Sequence, residues 1–445
     1  MTTELVRFTQ WSRTDPNRKY TSLMGMVYNP EGLYESFQRL PGNKAPGVDG
    51  IRKVDYAEGA AERIADLSAR LRRMAYRPKP VRRVYIPKAS GGRRPLGIPS
   101  FEDRIVQDRL SQILQAVWEP EFCDCSYGFR PGRSAHDALR KLAHNLTYER
   151  TSYVVEADIK GFFNHVDHNH MLRFLEHRIK DPRVLRLIRR FLKAGVMEDG
   201  AVSACEEGTP QGGLVSPVLS NVYLHYVLDL WFTKRLAKTC RGSAHLVRYA
   251  DDFVACFQYR EDAERFLEEL KARLAAFALD IEPSKTRLIE FGRYAEEAAK
   301  RTGRRPETFA FLGFTHYVTR SRTGRFLVGR RSDGARLRRK LTQVSLQLRS
   351  LRTRGGRAML AYVTQHLRGH IQYYGVSGNY NRLKRYVRTI QRLFFKWLNR
   401  RGQRRSFTWV KYSAALKAGL LPRPHIVHNL YPVPPWKTQT GSRMV

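Results

Sequence analysis

Two carboxylates, Asp251 and Asp252, stand side by side between the short apolar runs Leu246–Tyr249 and Phe253–Phe257. The runs read as the strands of a hairpin and the acids as its tip. Like charges this close raise each other's pKa and are costly to hold unless a cation sits with them. A further apolar run, Tyr153–Ile159, carries Asp158 near its end. A fold that makes these strand ends neighbours in one sheet brings Asp158 and Asp251 to a common point. Carboxylate oxygens suit Mg²⁺, which keeps open positions for phosphate oxygens. Two such ions about 3.5–4 Å apart lower the pKa of an attacking hydroxyl and stabilise a leaving pyrophosphate. Turn propensity alone accounts for an isolated Asp-Asp pair. Tyr249, the apolar flanks and the strand-terminal Asp158 shift the balance toward catalysis.

The charge of the chain points the same way. Its 445 residues hold 80 Lys and Arg against 41 Asp and Glu, a formal net charge of +39. Such an excess repels itself unless a polyanion shares the load, and nucleic acid is the obvious one. A basic protein that merely adheres to RNA or anionic lipid has the same composition, so charge does not separate the two. Apolar residues at 42% and charged residues at 27% fit a folded chain rather than a disordered one. The five cysteines, at 123, 125, 205, 240 and 256, read as reduced thiols, because Cys123-Asp124-Cys125 lacks the spacing of a zinc half-site. The stretch Met1–Gln10 has no apolar signal core, and no run approaches the roughly 18 apolar residues of a membrane span. A cytoplasmic protein with no membrane partner is expected.

Periodicity supplies the elements. Residues 1–30 read as polar and irregular, apart from Leu23–Tyr28. A helix starts at Pro30, with Leu33, Phe37 and Leu40 on one face, and stops at Pro41-Gly42. Another spans Ala57–Met74, with Ile64, Leu67 and Leu71 as its stripe. Val81–Lys88 and Arg94–Pro99 flank Ala89-Ser90-Gly91-Gly92 and predict a hairpin. Helices follow over Phe101–Trp118, Ser134–Leu146 and Leu214–Leu236. Beyond Arg320, apolar stripes inside strongly basic segments predict helices over Ser332–Arg354, Arg357–Tyr374 and Arg382–Asn399. Pro432–Pro435 reads as an extended segment.

Tyr249-Ala250-Asp251-Asp252 after an Arg, with Gly208-Thr209-Pro210-Gln211-Gly212-Gly213 ahead of a long helix, resembles the reverse transcriptases, most of all the bacterial group II intron-encoded type. Asn43–Gly50, Ile86-Pro87-Lys88 with Arg94–Pro99, Ser126–His136, Asp158–Phe163 and Phe311–Phe314 agree with that family, in the family's order. So many ordered motifs make the resemblance specific. It implies an α+β right-hand polymerase of fingers, a palm with an antiparallel sheet and a helical thumb, plus a C-terminal helical maturase-like region. The boundaries expected are 1–150 for the N-terminal extension and fingers, 151–320 for the palm, 321–400 for the thumb and 401–445 for the maturase-like remainder, where Ser406–Val410 fits less specifically. With no Cys/His endonuclease segment in the chain, no zinc site is expected.

The resemblance also implies roles. Asp158, Asp251, Asp252 and the Ile159 carbonyl would hold two Mg²⁺ ions, with Mn²⁺ able to substitute, and Lys285 would neutralise or protonate pyrophosphate. Lys88 and Arg94 would close over the incoming dNTP, Gln211 and Gly212 would line its pocket, and Phe163 would reject a 2′-hydroxyl. Phe311, Leu312 and Gly313 would grip the primer end. Tyr127, Arg130 and Arg133 would meet the template, and Arg336 and Arg339 would track a duplex. The implied partners are an RNA template, a DNA or RNA primer, dNTPs and structured intron RNA. The readings that compete are an active polymerase that assists splicing, a non-catalytic RNA chaperone, and a relative adapted to phage defence, CRISPR adaptation or DNA repair.

Overall fold

The computed structural model describes residues 3–87, 92–198, 200–203, 207–209, 212–400 and 407–431. Its strands are β1 (Val81–Pro87), β2 (Arg93–Ile98), β3 (Tyr153–Asp158), β4 (Val196–Glu198), β5 (Ala201–Ser203), β6 (Ala244–Tyr249), β7 (Asp252–Phe257), β8 (Arg287–Glu290), β9 (Phe309–Phe311), β10 (Phe314–Arg320) and β11 (Phe326–Ser332). The chain packs as two units. The first comprises Met1–Ala135, Ala157–Ala255 and Glu261–Arg287; the second comprises His136–Glu156, Cys256–Arg260 and Leu288–Val445.

In the first unit, β1 and β2 form the expected hairpin, antiparallel from Arg82↔Ile98 to Pro87↔Arg93. The sheet continues as β2-β1-β4-β5, with β4 parallel to β1. The β4–β5 hairpin escapes sequence reading because three-residue strands carry too little pattern. Helix Phe101–Trp118 buries Ile105, Val106, Leu110, Ile113, Leu114 and Val117, and its first turn is capped by the Ser100 hydroxyl, which accepts from Asp103 N. Residues 1–30 are not irregular: helices Thr3–Thr14 and Met24–Tyr28 form there. The first has few apolar residues, yet Leu5 is fully buried and Phe8 stacks against Tyr20 at 5.4 Å, so tertiary packing overrides a weak local signal.

The expected long helix after the Gly-rich segment is present over Ser216–Thr239, with π-helical turns at His225–Asp229 and Phe232–Leu236. β6 and β7 close a hairpin, and the four-stranded order is β6-β7-β3-β8. The strand ends that carry Asp158 and Asp252 belong to the first unit.

In the second unit, β9, β10 and β11 form a three-stranded antiparallel sheet. Helices Gly334–Leu351, Gly356–Tyr374 and Tyr380–Leu398 follow, matching the basic segments read from sequence. Val344, Leu348, Val363, Leu367, Leu383, Ile390 and Phe394 are buried, while Arg336, Arg338 and Arg339 face solvent. No helix of the described residues is long and apolar enough to cross a membrane. The Pro432–Pro435 segment lies outside the described residues.

Candidate active site

The turn between β6 and β7 is Ala250-Asp251, and Ala250 sits at φ +57°, a left-handed conformation that a non-glycine residue holds only under constraint. The constraint comes from beneath. Arg248 is fully buried in β6. Its Nε and Nη2 donate to the Asp229 carboxylate (2.7 and 2.5 Å), and Nη2 also donates to Ser126 Oγ (2.7 Å). Its Nη1 donates to Asn221 Oδ1 (3.1 Å) and to the carbonyl of Ala250 (2.9 Å). Burial opposes the Arg248 charge, but Asp229 overrides it and raises the guanidinium pKa. Asp229 lies in the π-helical turn of the long helix, a local irregularity of the kind found at functional sites.

A second support is backbone against backbone. Tyr127 N donates to Arg248 O and Arg248 N to Cys125 O (2.9 and 2.7 Å), so the 125–128 segment pairs with β6. Asn221 Nδ2 donates to Gly128 O (2.7 Å). A Cβ at Gly128 would lie 2.4 Å from Ala250 N, so only glycine fits. Gly128→Ala is therefore expected to cost about 1–3 kcal/mol of stability. Thermal melting of the variant against the wild type checks this.

At the tip, Lys285 Nζ forms an ion pair with Asp158 Oδ2. That hydrogen bond raises the lysine pKa, against partial burial, with Asp252 adding to it. Burial and the nearby Asp158 charge push the Asp251 carboxyl above its ordinary range, while a backbone hydrogen bond, Arg248 and Lys285 pull the other way. Asp252 is exposed. Electrostatically the four groups form one cluster. Among the described residues, no three His, Cys, Asp or Glu side chains converge as a closed metal-binding group. The Lys285 ammonium neutralises Asp158, while burial and the Asp158 charge disfavour ionisation of Asp251. This acid pair, one member under charge stress and the other already neutralised by a cation, fits a divalent ion.

The other predicted residues are placed as follows. Ile159 is buried and bridges to Ile281. Phe162 is core, and Phe163 is half-buried against it at 5.3 Å. The Phe163 carbonyl accepts from Thr209 N (2.7 Å), which ties the Gly208 segment beneath it. Gly212 is at φ +115°, and a Cβ there would meet Gly97 O at 2.3 Å, so the segment also abuts β2. Arg94 is exposed, with no ion pair among the described residues. Lys88 and Gln211 lie outside the described residues.

The Ser126–His136 loop differs from a solvated basic loop. Arg130 is buried, donating to Glu119 and to the carbonyls of Cys123 and Ser126. It braces its own loop. Tyr127 is buried under Arg133, which pairs with Asp124. Phe129, at φ +58°, is exposed despite its apolar ring.

The family model for reverse transcriptase (RNA-dependent DNA polymerase) matches residues 86–316, more than half of the chain. Protein YkfC of Escherichia coli is 33% identical over 351 residues, covering 72% of this chain and 88% of its own length. The group II intron-encoded protein LtrA of Lactococcus lactis is 33% identical over 305 residues, covering 66% of this chain and 50% of its own. The chain belongs to the group II intron-encoded reverse transcriptase/maturase family. A protein encoded in the cob intron of Schizosaccharomyces pombe is 39% identical over 200 residues, 45% of this chain and 24% of its own length.

The Phe311–Phe314 motif forms the β9–β10 hairpin of the second unit. Leu312 (φ +48°) and Gly313 (φ +81°) make its two-residue turn, both left-handed. Tyr373 Oη donates to Leu312 O (2.9 Å), holding leucine in a conformation it disfavours. A Cβ on Gly313 would come within 3.1 Å of Tyr374 Oη and 3.3 Å of Arg336 Nη1. The turn, Tyr373 and Arg336 thus form one cluster, and Arg339 is exposed on the same helix. Sequence reading missed Asp229, Asn221 and Tyr373. The signal for Asp229 was there: an Arg inside the apolar run Leu246-Val247-Arg248 needs a buried acid.

Proposed function

We propose that the chain is an RNA-directed DNA polymerase that extends a primer 3′-hydroxyl with dNTPs on an RNA template, and that it also binds structured intron RNA to assist splicing. The observation that carries the polymerase reading is the ammonium of Lys285 held on Asp158, beside a half-buried Asp251 at a strained, braced turn. Asp158, Asp251 and Asp252, with the Ile159 carbonyl, would hold two Mg²⁺ ions, or Mn²⁺ in their place. When bound, the ions supply a lowered pKa at the primer hydroxyl and charge neutralisation at the triphosphate.

The protein's own groups do the rest. Arg94, with Lys88, offers guanidinium and ammonium charge to the triphosphate. Phe163 packs beneath the sugar. The new 3′-O–P bond forms as the Pα–O–Pβ bond breaks, the hydroxyl proton leaves to solvent, and Lys285 supplies a proton to pyrophosphate. Fingers, palm and thumb correspond in this reading to the β1–β2 region, the β6-β7-β3-β8 region and the helices after β11. The intron-RNA role is supported by the exposed arginines of Gly334–Leu351 and by kinship with proteins named as intron-encoded and with nuclear intron maturase 1 of Arabidopsis thaliana.

Primer extension on an RNA template with dNTPs and Mg²⁺ or Mn²⁺ tests the polymerase; no cDNA with either ion overturns it. Phe163→Val is expected to raise rNTP use relative to dNTP by about 10–100-fold, the equivalent of relieving a clash of about 1–3 kcal/mol. Single-nucleotide incorporation kinetics read that ratio.

A further inference from the structure

Helix Pro182–Leu192 buries Val184, Leu187, Ile188, Phe191 and Leu192. Its other face is almost wholly cationic. Arg186, Arg189, Arg190 and Lys193, joined by Arg77 from the segment before β1, line an open groove of about 590 Å³, and Pro78 and Ala194 complete it. No carboxylate lines it. Among the described residues none of these five cations has an ion-pair partner, whereas neighbouring Arg183 is paired with Asp181. The groove shares no residue with the acid cluster, the Gly208 segment or the β1–β2 hairpin.

The cluster is built rather than incidental. Arg190 Nη1 donates to the carbonyls of Met74 and Tyr76 (both 2.8 Å), fixing the groove floor to the end of helix Ala60–Arg72. That end carries the exposed Arg72 and Arg73. Burial, then the charges of Arg77 and Arg186, lower the Arg190 pKa. Five like charges gathered along one groove, with no carboxylate among its lining residues, describe a site suited to a polyanion. Four of the five are arginines, whose planar fork suits phosphate oxygens. Arg186 to the C-cap Lys193 is seven residue rises, about 10 Å, against about 3.4 Å of axis per phosphate on one strand. The face therefore spans about three phosphates.

We infer that this groove is a second nucleic-acid site, separate from the polymerase site, that binds the sugar–phosphate backbone of a folded RNA. The choice of RNA over other polyanions rests on the proposed function.

The test is the triple variant Arg186→Glu, Arg189→Glu, Lys193→Glu in the full chain. Arg190 is left intact because it holds backbone. The probes are a fluorescein-labelled RNA hairpin, poly-glutamate, and phosphatidylserine vesicles. Hairpin affinity is expected to fall at least about tenfold, and the slope of log K against log[salt] to shrink by about 2.7, or 0.9 for each of three phosphates. Extension of a pre-annealed, saturating primer–template should be unchanged. That assay also reads the polymerase on its own: if the wild type extends nothing, the proposed function fails while the hairpin result still stands. Unchanged hairpin affinity and slope overturn the inference. So does an equal loss of hairpin binding and extension, which would place the groove in the primer–template path. Loss confined to poly-glutamate or vesicles overturns it in favour of a protein or lipid partner. Should the triple variant melt early, the Gln triple and the single Arg189→Glu, each expected to retain the wild-type Tm, carry the same readouts.

Discussion

Asp251→Asn is expected to lower primer extension on the order of a thousandfold or more, while RNA affinity stays within about twofold of wild type. The carboxylate is placed to hold an ion and contributes nothing to a positively charged binding surface, so chemistry and binding separate. A second result distinguishes this from unfolding. In the folded protein without metal, burial and Asp158 raise the Asp251 pKa above its unfolded value. Its contribution to stability is then fully present below the unfolded pKa and is lost as pH rises through the folded one. At neutral pH the ionised, half-buried Asp251, facing Asp158, is a liability that Asn removes. The metal-free variant should therefore melt at a higher temperature than wild type near pH 7, and the gap should close as pH falls below the carboxylate range. A variant that loses both activity and Tm would contradict the assignment. Loss of function with gained stability is the pattern of a group kept for chemistry.

Much of this was legible in the chain. The acidic hairpin, Asp158 at a strand end, the β1–β2 hairpin and the three basic helices all follow from period and flanking residues, because each carries its own pattern. What stayed hidden depends on partners distant in sequence. Arg130 reads as a solvated loop arginine until Glu119 and two carbonyls enclose it. Helix Thr3–Thr14 has a modest apolar stripe and is secured by helix Phe101–Trp118, far along the chain. Leu312 gives no sign that it will sit at φ +48°; that conformation is fixed by the two-residue turn and by Tyr373. The π-helical turn at Asp229 is likewise invisible, since helix periodicity does not announce a one-residue slip.

That slip leads to the largest expected effect on stability. Arg248 makes five hydrogen bonds through one guanidinium, two of them to Asp229, with both side chains fully inaccessible. Arg248→Met leaves the Asp229 carboxylate buried without a partner, at a cost of about 3–5 kcal/mol. Arg248→Lys should fare little better, because a single ammonium cannot reach Asp229, Asn221, Ser126 and the Ala250 carbonyl together. The double variant Arg248→Met, Asp229→Leu removes both charges and is expected to recover most of the lost stability. It should not recover primer extension, because Ala250 O and Ser126 Oγ still lack the donor that holds the turn at φ +57°. Melting temperature and extension rate measured across the single and double variants give that contrast. If the double variant restored both together, the ion pair would be a matter of folding alone; if it restored Tm only, Arg248 positions Asp251.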